Sequence, residues 1–298
     1  MPLDPRRLLI FRSVARAGSI SAAARGLGWT QPAVSQHLNR LERESGGPLL
    51  VRGPAGVTLT EAGAALLRRA DAIAGELHVA AEEMAALAEL RAGRVRLAAF
   101  PSAAATVLPR AVRALADAHP EIEVSMVEEE PPEAMASVAS GDVDLALVFG
   151  HEGPPPDTGQ LVWLPLVREP VHLVVPPGHP AVGGGSVRLS ALAGEIWIGG
   201  CERCREHLLA RCRAAGFDPV LRHTTDDYVV VQNLVARGLG VTMLPRSALE
   251  AYLHPDVVVI ESPALGERHV GLVHRPGAET VPATAALVRE LVTAAAQR

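Results

Sequence analysis

The chain has 298 residues with 28 basic and 33 acidic side chains, so its formal net charge is −5. No apolar run approaches the ~20 residues that a bilayer-spanning helix requires, which argues against a membrane protein. No hydrophobic signal segment precedes the first predicted element, so we expect a cytoplasmic protein rather than a secreted solute-binding protein.

The charge is unevenly distributed along the chain. Residues 1–60 hold eight arginines against three acidic residues, a net of +5, whereas the remaining residues carry a net of −10. A basic end on an acidic body is typical of a nucleic-acid-binding head joined to a separate module.

Residues 21–63 predict a helix, a tight turn, a second helix and a short β-ribbon. Thr30 can cap the second helix, and Pro32 fits its first turn, where a missing N–H costs nothing. Apolar residues recur at i, i+4 and i+7 from Val34, so this helix has one apolar stripe. Its opposite face can donate to phosphates and base edges in a DNA major groove, although an ordinary surface helix would show the same pattern. That polar face carries Pro32, Ser35, Gln36, Asn39, Arg40 and Arg43.

Residues 61–92 predict one long helix. Its apolar residues recur at steps of three and four for three heptads, which is long enough to argue for pairing with a second helix. A lone amphipathic helix packed on its own domain would show the same stripe. The repeating positions are Leu66, Ala70, Ile73, Leu77, Ala80, Met84 and Leu87.

Residues 93–298 alternate strands with helices, the pattern of parallel sheets covered by helices. Within the first predicted helix, Pro109 is expected to introduce a kink. The predicted strands are 94–100, 121–127, 143–149, 171–175, 196–199 and 268–274, and the predicted helices are 103–118, 204–216, 227–237 and 282–297. The acidic run 128–130 is interpreted as a solvated strand end.

The N-terminal motifs resemble the winged helix-turn-helix of LysR-type transcriptional regulators. The likeness rests on Ser21, Ala23, Ala24, Leu27, Thr30–Ser35, Leu38, Leu41, Glu42 and Leu59–Gly63. It implies a regulator that binds a near-palindromic promoter site through the second helix and a wing arginine. The DNA contacts implied in this way are Thr30, Gln31, Pro32, Ser35, Gln36 and Arg52, to which the polar face of the helix adds Asn39 and Arg40. The family's wing usually has a phenylalanine where this chain has Leu50, a departure that concerns wing packing.

Four later sequence segments resemble the effector domain of the same family: 118–124, 141–147, 175–180 and 235–241. The resemblance implies the fold of type 2 periplasmic binding proteins, in which two α/β lobes are joined by two crossing strands and a ligand cleft lies between them. The expected organisation is a DNA-binding domain over 1–60, a dimerising linker helix over 61–92 and an effector domain over 93–298. Lobe one takes 93–163 and 269–298, and lobe two takes 164–268. The implied partners are double-stranded promoter DNA, a small-molecule effector and further copies of the chain, as a homodimer or homotetramer.

The effector is expected to bind where strand ends and helix N-termini meet the cleft, because such N-termini suit an anion. A small carboxylate is therefore the first hypothesis. Ser102 is equally explained as a helix cap and Phe149 as a core residue, and Thr225 or Asp226 can instead cap the helix predicted over 227–237. The candidate effector contacts are Ser102, Phe149, Gly150, Gly200, Cys201, Thr224 and Thr225.

The cysteines, which are confined to residues 201–212, offer an alternative way to control DNA binding. Clustered cysteines in a cytosolic protein favour redox or metal chemistry over a structural disulfide, and arginines beside Cys204 favour its thiolate. Cys201, Cys204 and His207 form a possible metal set, whereas Cys212 is equally explained as a small core residue. The peroxide-sensing member of the resembled family carries its reactive cysteines in this part of lobe two, at another spacing.

No Walker loop, nucleophile elbow, H-E-x-x-H or dinucleotide-binding motif occurs in the sequence. We therefore expect neither an enzyme nor a cofactor. The hypothesis is a DNA-binding regulator governed by the cleft, by thiol oxidation or by a metal.

Overall fold

A computed structural model describes residues 3–53, 56–87, 93–156, 158–182 and 188–297. The chain divides into two compact units, Met1–Glu82 with Ala139–Gly141, and Glu83–Val138 with Asp142–Arg298. Within the described ranges, none of the helices combines the length and the apolar character that a membrane crossing requires.

The first unit is a small helical domain with a two-stranded ribbon. Phe11, Val34 and Leu41 are fully buried at its centre, which confirms the predicted apolar stripe of the second motif helix. The ribbon is antiparallel and pairs Arg52 with Val57. The elements are α1 (Pro5–Ala17), α2 (Ile20–Leu27), α3 (Gln31–Ser45), β1 (Leu50–Gly53), β2 (Gly56–Leu59) and α4 (Glu61–Leu87).

The turn between α2 and α3 depends on Gly28, whose φ of 68° lies in the left-handed region that side chains disfavour. Thr30 occupies the N-cap position of α3 as expected. The predicted capping bond is wrong, however, because the Thr30 side chain makes no cap hydrogen bond among the described residues.

Helix α4 presents part of the predicted apolar seam to solvent. Ala70 is buried in the core of the first unit, but Ile73, Leu77 and Met84 are exposed by 38%, 54% and 59% of their surface. The side chain of Leu87 and residues 88–92 lie outside the described part of the chain. The pairing of this helix with a second copy stays a prediction.

The second unit is built on a sheet with the strand order β10-β6-β11-β5-β3-β4, and β9 pairs with β6. Its strands are β3 (Arg94–Ala99), β4 (Glu123–Glu128), β5 (Leu145–Gly150), β6 (Val162–Val175), β7 (Ile196–Gly199), β8 (Val220–Thr224), β9 (Thr242–Pro245), β10 (Val258–Ile260) and β11 (Glu267–His274). Its helices are α5 (Pro101–Ala105), α6 (Val107–Ala118), α7 (Pro131–Ser140), α8 (Glu202–Ala214), α9 (Tyr228–Ala236), α10 (Arg246–Ala251) and α11 (Pro282–Ala296).

Two long antiparallel strands, β6 and β11, connect the two halves of this unit. The first part of β6 pairs with β11, and its last residues pair with β9 and β10. On one side, β3, β4 and β5 are parallel neighbours, as are β7 and β8 on the other. The predicted α/β class, with two lobes and two crossing strands, is confirmed.

The helix predicted over 103–118 is wrong in one respect, because it is two helices that break at Thr106. Pro109 has no N–H to donate to the carbonyl of Ala105, and its ring would collide with that carbonyl. Helix α5 therefore ends at Ala105. Helix α6 begins at Val107, so that Pro109 falls in its first turn.

Two further boundaries differ from the prediction. The strand predicted over 171–175 is only the second half of β6, because Pro165 and Pro170 hid its first half, which pairs with β11 across a bulge. Helix α8 begins at Glu202 rather than at residue 204, since Cys201 takes the N-cap position.

Candidate functional site

The polar face of α3 is open to solvent. Thr30, Gln31, Pro32, Gln36, Asn39 and Arg40 are exposed, and Ser35 is half-buried. Arg52 from the ribbon is also exposed, and its Nη2 donates to Asn39 Oδ1 at 2.8 Å. The ribbon arginine and the helix are thereby joined on one face of the first unit, and the assignment of these residues to DNA remains a prediction.

Within the second unit, a cavity of about 50 Å³ lies between the lobes. Its floor is a buried polar network centred on Arg268. The Arg268 Nη2 atom is 2.8 Å from Ser102 Oγ, and the same guanidinium lies 2.6 Å from Glu169 Oε1. Ser247 Oγ lies 2.7 Å from Arg268 Nη2. Ser102 is therefore bonded within the protein, and Phe100 is the N-cap of α5 instead.

Two aromatic rings enclose the same guanidinium. Arg268 Cζ is 4.7 Å from the centre of the Phe100 ring and 4.4 Å from that of Phe149. Both cation–π contacts are water-excluded, since Arg268 is 2% exposed and each ring 1%. Phe149 thus serves both as a core residue and as part of the cavity wall.

Cys201 and Cys204 line this cavity, and their Sγ atoms lie 3.0 Å apart. Cys201 is buried and Cys204 half-buried. The hydrogen bond that Cys201 donates to Cys204, together with burial, raises the pKa of the Cys201 thiol well above its usual range.

Cys212 lies apart from this pair. It is fully buried in the apolar core of lobe two, and burial raises the pKa of its thiol to about 12. A thiol in this state is a poor nucleophile, so Cys212 is a packing residue.

The mouth of the cavity, beside Cys201, is acidic. Glu128, Glu129, Glu130, Glu133, Glu202 and Asp226 line it together with Arg203. The interpretation of 128–130 as a solvated strand end is wrong for Glu130, which is half-buried and borders the cavity. Burial raises the pKa of Glu130, and the neighbouring Cys201 thiol partly opposes this.

The predicted metal set does not converge. His207 Nε2 lies 2.7 Å from the carbonyl oxygen of Leu265, and its ring stacks on His151 with centres 3.9 Å apart. Among the described residues, no group of three or more histidine, cysteine or acidic side chains is arranged to hold a metal ion. The metal hypothesis on Cys201, Cys204 and His207 is therefore wrong for this arrangement.

Five of the seven predicted effector contacts line one cavity: Ser102, Phe149, Gly200, Cys201 and Thr225. The other two, Gly150 and Thr224, are not among the residues that line it. Gly150 packs on the backbone of Gly153 and Pro154, where a Cβ would lie 2.5 Å from an oxygen. Thr224 pairs with Gly199 at the end of β8. The cap of α9 is Asp227, whose Oδ1 accepts from the N–H groups of Val229 and Val230, so Thr225 is not the cap.

The sequence prediction missed Glu130, Asp226 and Arg268, which line the cavity, and Glu169 and Ser247, which belong to the buried network around Arg268. Glu169 and Arg268 lie in β6 and β11, where paired opposite charges inside otherwise apolar strands are a signal of a buried ion pair. Ser247 and Asp226 carry no such local signal, because loop and helix starts are rich in these residue types.

Comparisons with known proteins agree with this architecture. A family model described as LysR substrate binding domain matches residues 88–296, and one described as bacterial regulatory helix-turn-helix protein, lysR family, matches residues 5–64. The probable hydrogen peroxide-inducible genes activator of Streptomyces viridosporus is 33% identical over 82% of this chain and 78% of its own length. The DNA-binding transcriptional dual regulator OxyR of Escherichia coli (strain K12) is 30% identical over 83% of this chain and 81% of its own. Full-length OxyR from Pseudomonas aeruginosa, at 20% identity, shares the fold with a TM-score of 0.71 over 98% of this chain and 95% of that one.

Proposed function

Because the chain belongs to the LysR family of bacterial DNA-binding transcriptional regulators, we propose that oxidation of Cys201 and Cys204 switches its binding to promoter DNA. LysR-type regulators bind promoter DNA and small-molecule effectors, form oligomers and are not enzymes. One observation carries the proposal, the 3.0 Å separation of the two Sγ atoms. A disulfide requires about 2.05 Å, so the two sulfurs need to approach by only about 1 Å.

The two cysteines differ in access and in protonation, which assigns them different roles. Cys204 is half-buried, lies in the first turn of α8 and accepts the hydrogen bond of Cys201. Cys204 is the more accessible of the two sulfurs, so an oxidant in the cavity reaches it first. Cys201 is buried, and the bond that it donates holds its proton. Cys204 is therefore the nucleophile and Cys201 the resolving thiol.

The chemistry balances with a peroxide as the oxidant. The Cys204 thiolate attacks one peroxide oxygen, the O–O bond breaks and the departing hydroxide takes up a proton, which leaves Cys204 as a sulfenic acid and releases water. Cys201 then loses its proton and attacks the Cys204 sulfur, whose S–O bond breaks to release a second water. Two thiols and one hydrogen peroxide thus give one disulfide and two waters.

Hydrogen peroxide fits both the cavity and the relatives. A volume of about 50 Å³ admits a molecule about the size of one or two waters. The relatives that are 33% and 30% identical include proteins named as hydrogen peroxide-inducible genes activators. The acidic mouth further favours an uncharged oxidant over an anionic one.

The test is a promoter footprint of the full-length protein before and after hydrogen peroxide treatment. We expect the wild-type footprint to change and to return when a dithiol reductant is added. Cys201→Ser and Cys204→Ser should each abolish the change, whereas Cys212→Ser, the matched control, should retain it. A footprint that changes equally in Cys204→Ser would contradict the proposal.

A second candidate is a small-molecule effector in the same cavity, with Ser102, Phe149, Gly200 and Thr225 as contacts. The cavity supports it, since these residues line one enclosed space. The predicted small carboxylate has Arg268 as a partner but must pass the acidic mouth. Isothermal titration of the reduced protein with small carboxylates separates the candidates, because saturable binding that shifts the footprint without oxidation supports the effector.

For the DNA-binding part, we propose that residues 1–60 read the promoter, that 61–92 pair two copies, and that 93–298 hold the switch. The exposed polar face of α3 and the exposed apolar residues of α4 support these assignments. Binding to chromosomal promoters also supports action in the cytoplasm. Size-exclusion chromatography with light scattering distinguishes a dimer or tetramer from a monomer.

A further inference from the structure

Glu130 lies at the edge of the cavity that holds the dithiol. It stands between β4 and α7, and it lines both this cavity and the acidic mouth together with Cys201. Its carboxylate oxygen Oε2 is buried and has no partner among the described residues. A buried carboxylate oxygen without a donor is costly, and that cost suggests a use beyond packing.

From this placement we propose that Glu130 is the base that removes the proton from Cys201 when Cys201 attacks the oxidised Cys204. This inference rests on the proposed thiol switch and deepens it. The need for a base follows from the geometry, because the buried Cys201 thiol donates its hydrogen bond to Cys204 in the reduced protein. Once Cys204 is a sulfenic acid, the Cys201 proton needs another acceptor, and Glu130, whose Oε2 is unpartnered in the described part of the chain, lines the same cavity.

The proton can then complete the reaction. Glu130 takes the proton from Cys201, the Cys201 sulfur forms a bond to the Cys204 sulfur, and the Cys204 S–O bond breaks. The protonated Glu130 delivers its proton to the departing hydroxide, which leaves as water and restores the carboxylate. No proton has to cross the apolar wall formed by Phe100 and Phe149.

The charges around Glu130 favour this exchange. Burial raises the pKa of its carboxyl, the nearby Asp226 and Glu133 act in the same direction, and Cys201 and Arg268 oppose it. A carboxylate whose pKa is raised towards neutrality is a better acceptor for a thiol proton than an ordinary surface glutamate.

The test follows both steps of oxidation in full-length protein mixed rapidly with hydrogen peroxide. Sulfenic acid at Cys204 is trapped with dimedone, and the disulfide is quantified by mass spectrometry of quenched samples. In Glu130→Gln we expect sulfenic acid to form at the wild-type rate and to accumulate, while the disulfide forms about a hundredfold more slowly. The pH dependence of the disulfide step should also disappear. Glu121→Gln, which changes an exposed glutamate outside the acidic mouth, is the control and should match wild type, and Glu130→Asp should restore part of the rate.

The outcomes separate the inference from the proposed function. A Glu130→Gln protein that closes the disulfide at the wild-type rate overturns the role of Glu130 and leaves the thiol switch intact. Equal slowing of both steps also overturns it, since a base for Cys201 acts only on the second. A wild-type protein that forms no Cys201–Cys204 disulfide overturns the proposed function itself. Thermal unfolding of each variant checks that the fold is retained.

Discussion

Ser102 Oγ and Ser247 Oγ lie 3.1 Å apart and join helix α5 of lobe one to helix α10 of lobe two. Both hydroxyls also contact the guanidinium of Arg268, which comes from the crossing strand β11 and pairs with Glu169 on β6. The floor of the cleft is therefore one buried network shared by both lobes and both crossing strands. A change in the spacing of the lobes must break or rearrange it.

Removing Arg268 should destabilise the effector domain. Arg268→Met leaves the buried Glu169 carboxylate without its cation, which typically costs about 3 kcal/mol or more. The double variant Arg268→Met with Glu169→Met should recover part of this loss, because no buried charge is left unpaired. Urea unfolding of the full chain measures both. If the free energy of unfolding of Arg268→Met lay within about 1 kcal/mol of the wild-type value, the network would not have the stabilising role assigned to it.

Specific DNA recognition should depend on the start of α3. Gln31→Ala should weaken operator binding by about 1–3 kcal/mol, the range for loss of a bidentate base contact, and Ser35→Ala should also weaken it. Fluorescence anisotropy on operator and unrelated DNA measures the loss, and an unchanged operator affinity for both variants would count against these contacts.

The ribbon arginine should act on all sequences alike. Arg52→Ala removes one charge near the phosphates, so binding should weaken on any DNA and the salt slope should fall by about 1. Arg94→Ala, which removes an exposed arginine of the second unit, is the matched control. An unaltered slope in Arg52→Ala would remove the wing from the DNA interface.

Acid should weaken the fold through the stacked histidines. Burial, followed by the charge of His207, lowers the pKa of His151 to about 2, and burial also lowers the pKa of His207. Both rings are therefore neutral in the folded chain but become protonated in the unfolded chain below about pH 6.5. The free energy of unfolding is therefore highest at neutral pH and decreases as the pH falls. For His151 the decrease is about 2 kcal/mol between pH 7.5 and pH 5.

Urea unfolding at a series of pH values checks this dependence. His151→Phe keeps an aromatic ring against His207 and should flatten the curve. A curve for His151→Phe that is as steep as wild type would show that the pair does not titrate as proposed.

The sequence predicted most of what depends on local pattern. The apolar run of β5, the apolar stripe of α3 and the proline in the first turn of that helix are local features, so the DNA-binding unit and the α/β class could be deduced before the structure. The first half of β6 could not be deduced from the sequence, because Pro165 and Pro170 disfavour a strand unless a partner strand, here β11, pairs with it. Glu130 was misassigned for a related reason. Nothing in a run of three glutamates shows which of them faces a thiol that lies some seventy positions later in the chain.

The central claim is that the state of one dithiol sets the state of the DNA complex. The most direct measurement equilibrates the protein–promoter complex in a series of thiol–disulfide buffers and records two quantities, the fraction of Cys201–Cys204 disulfide and the fraction of shifted footprint. The account predicts that the two curves coincide at every buffer ratio. A footprint that shifts while both thiols remain free, or that stays fixed while the disulfide forms, would contradict it.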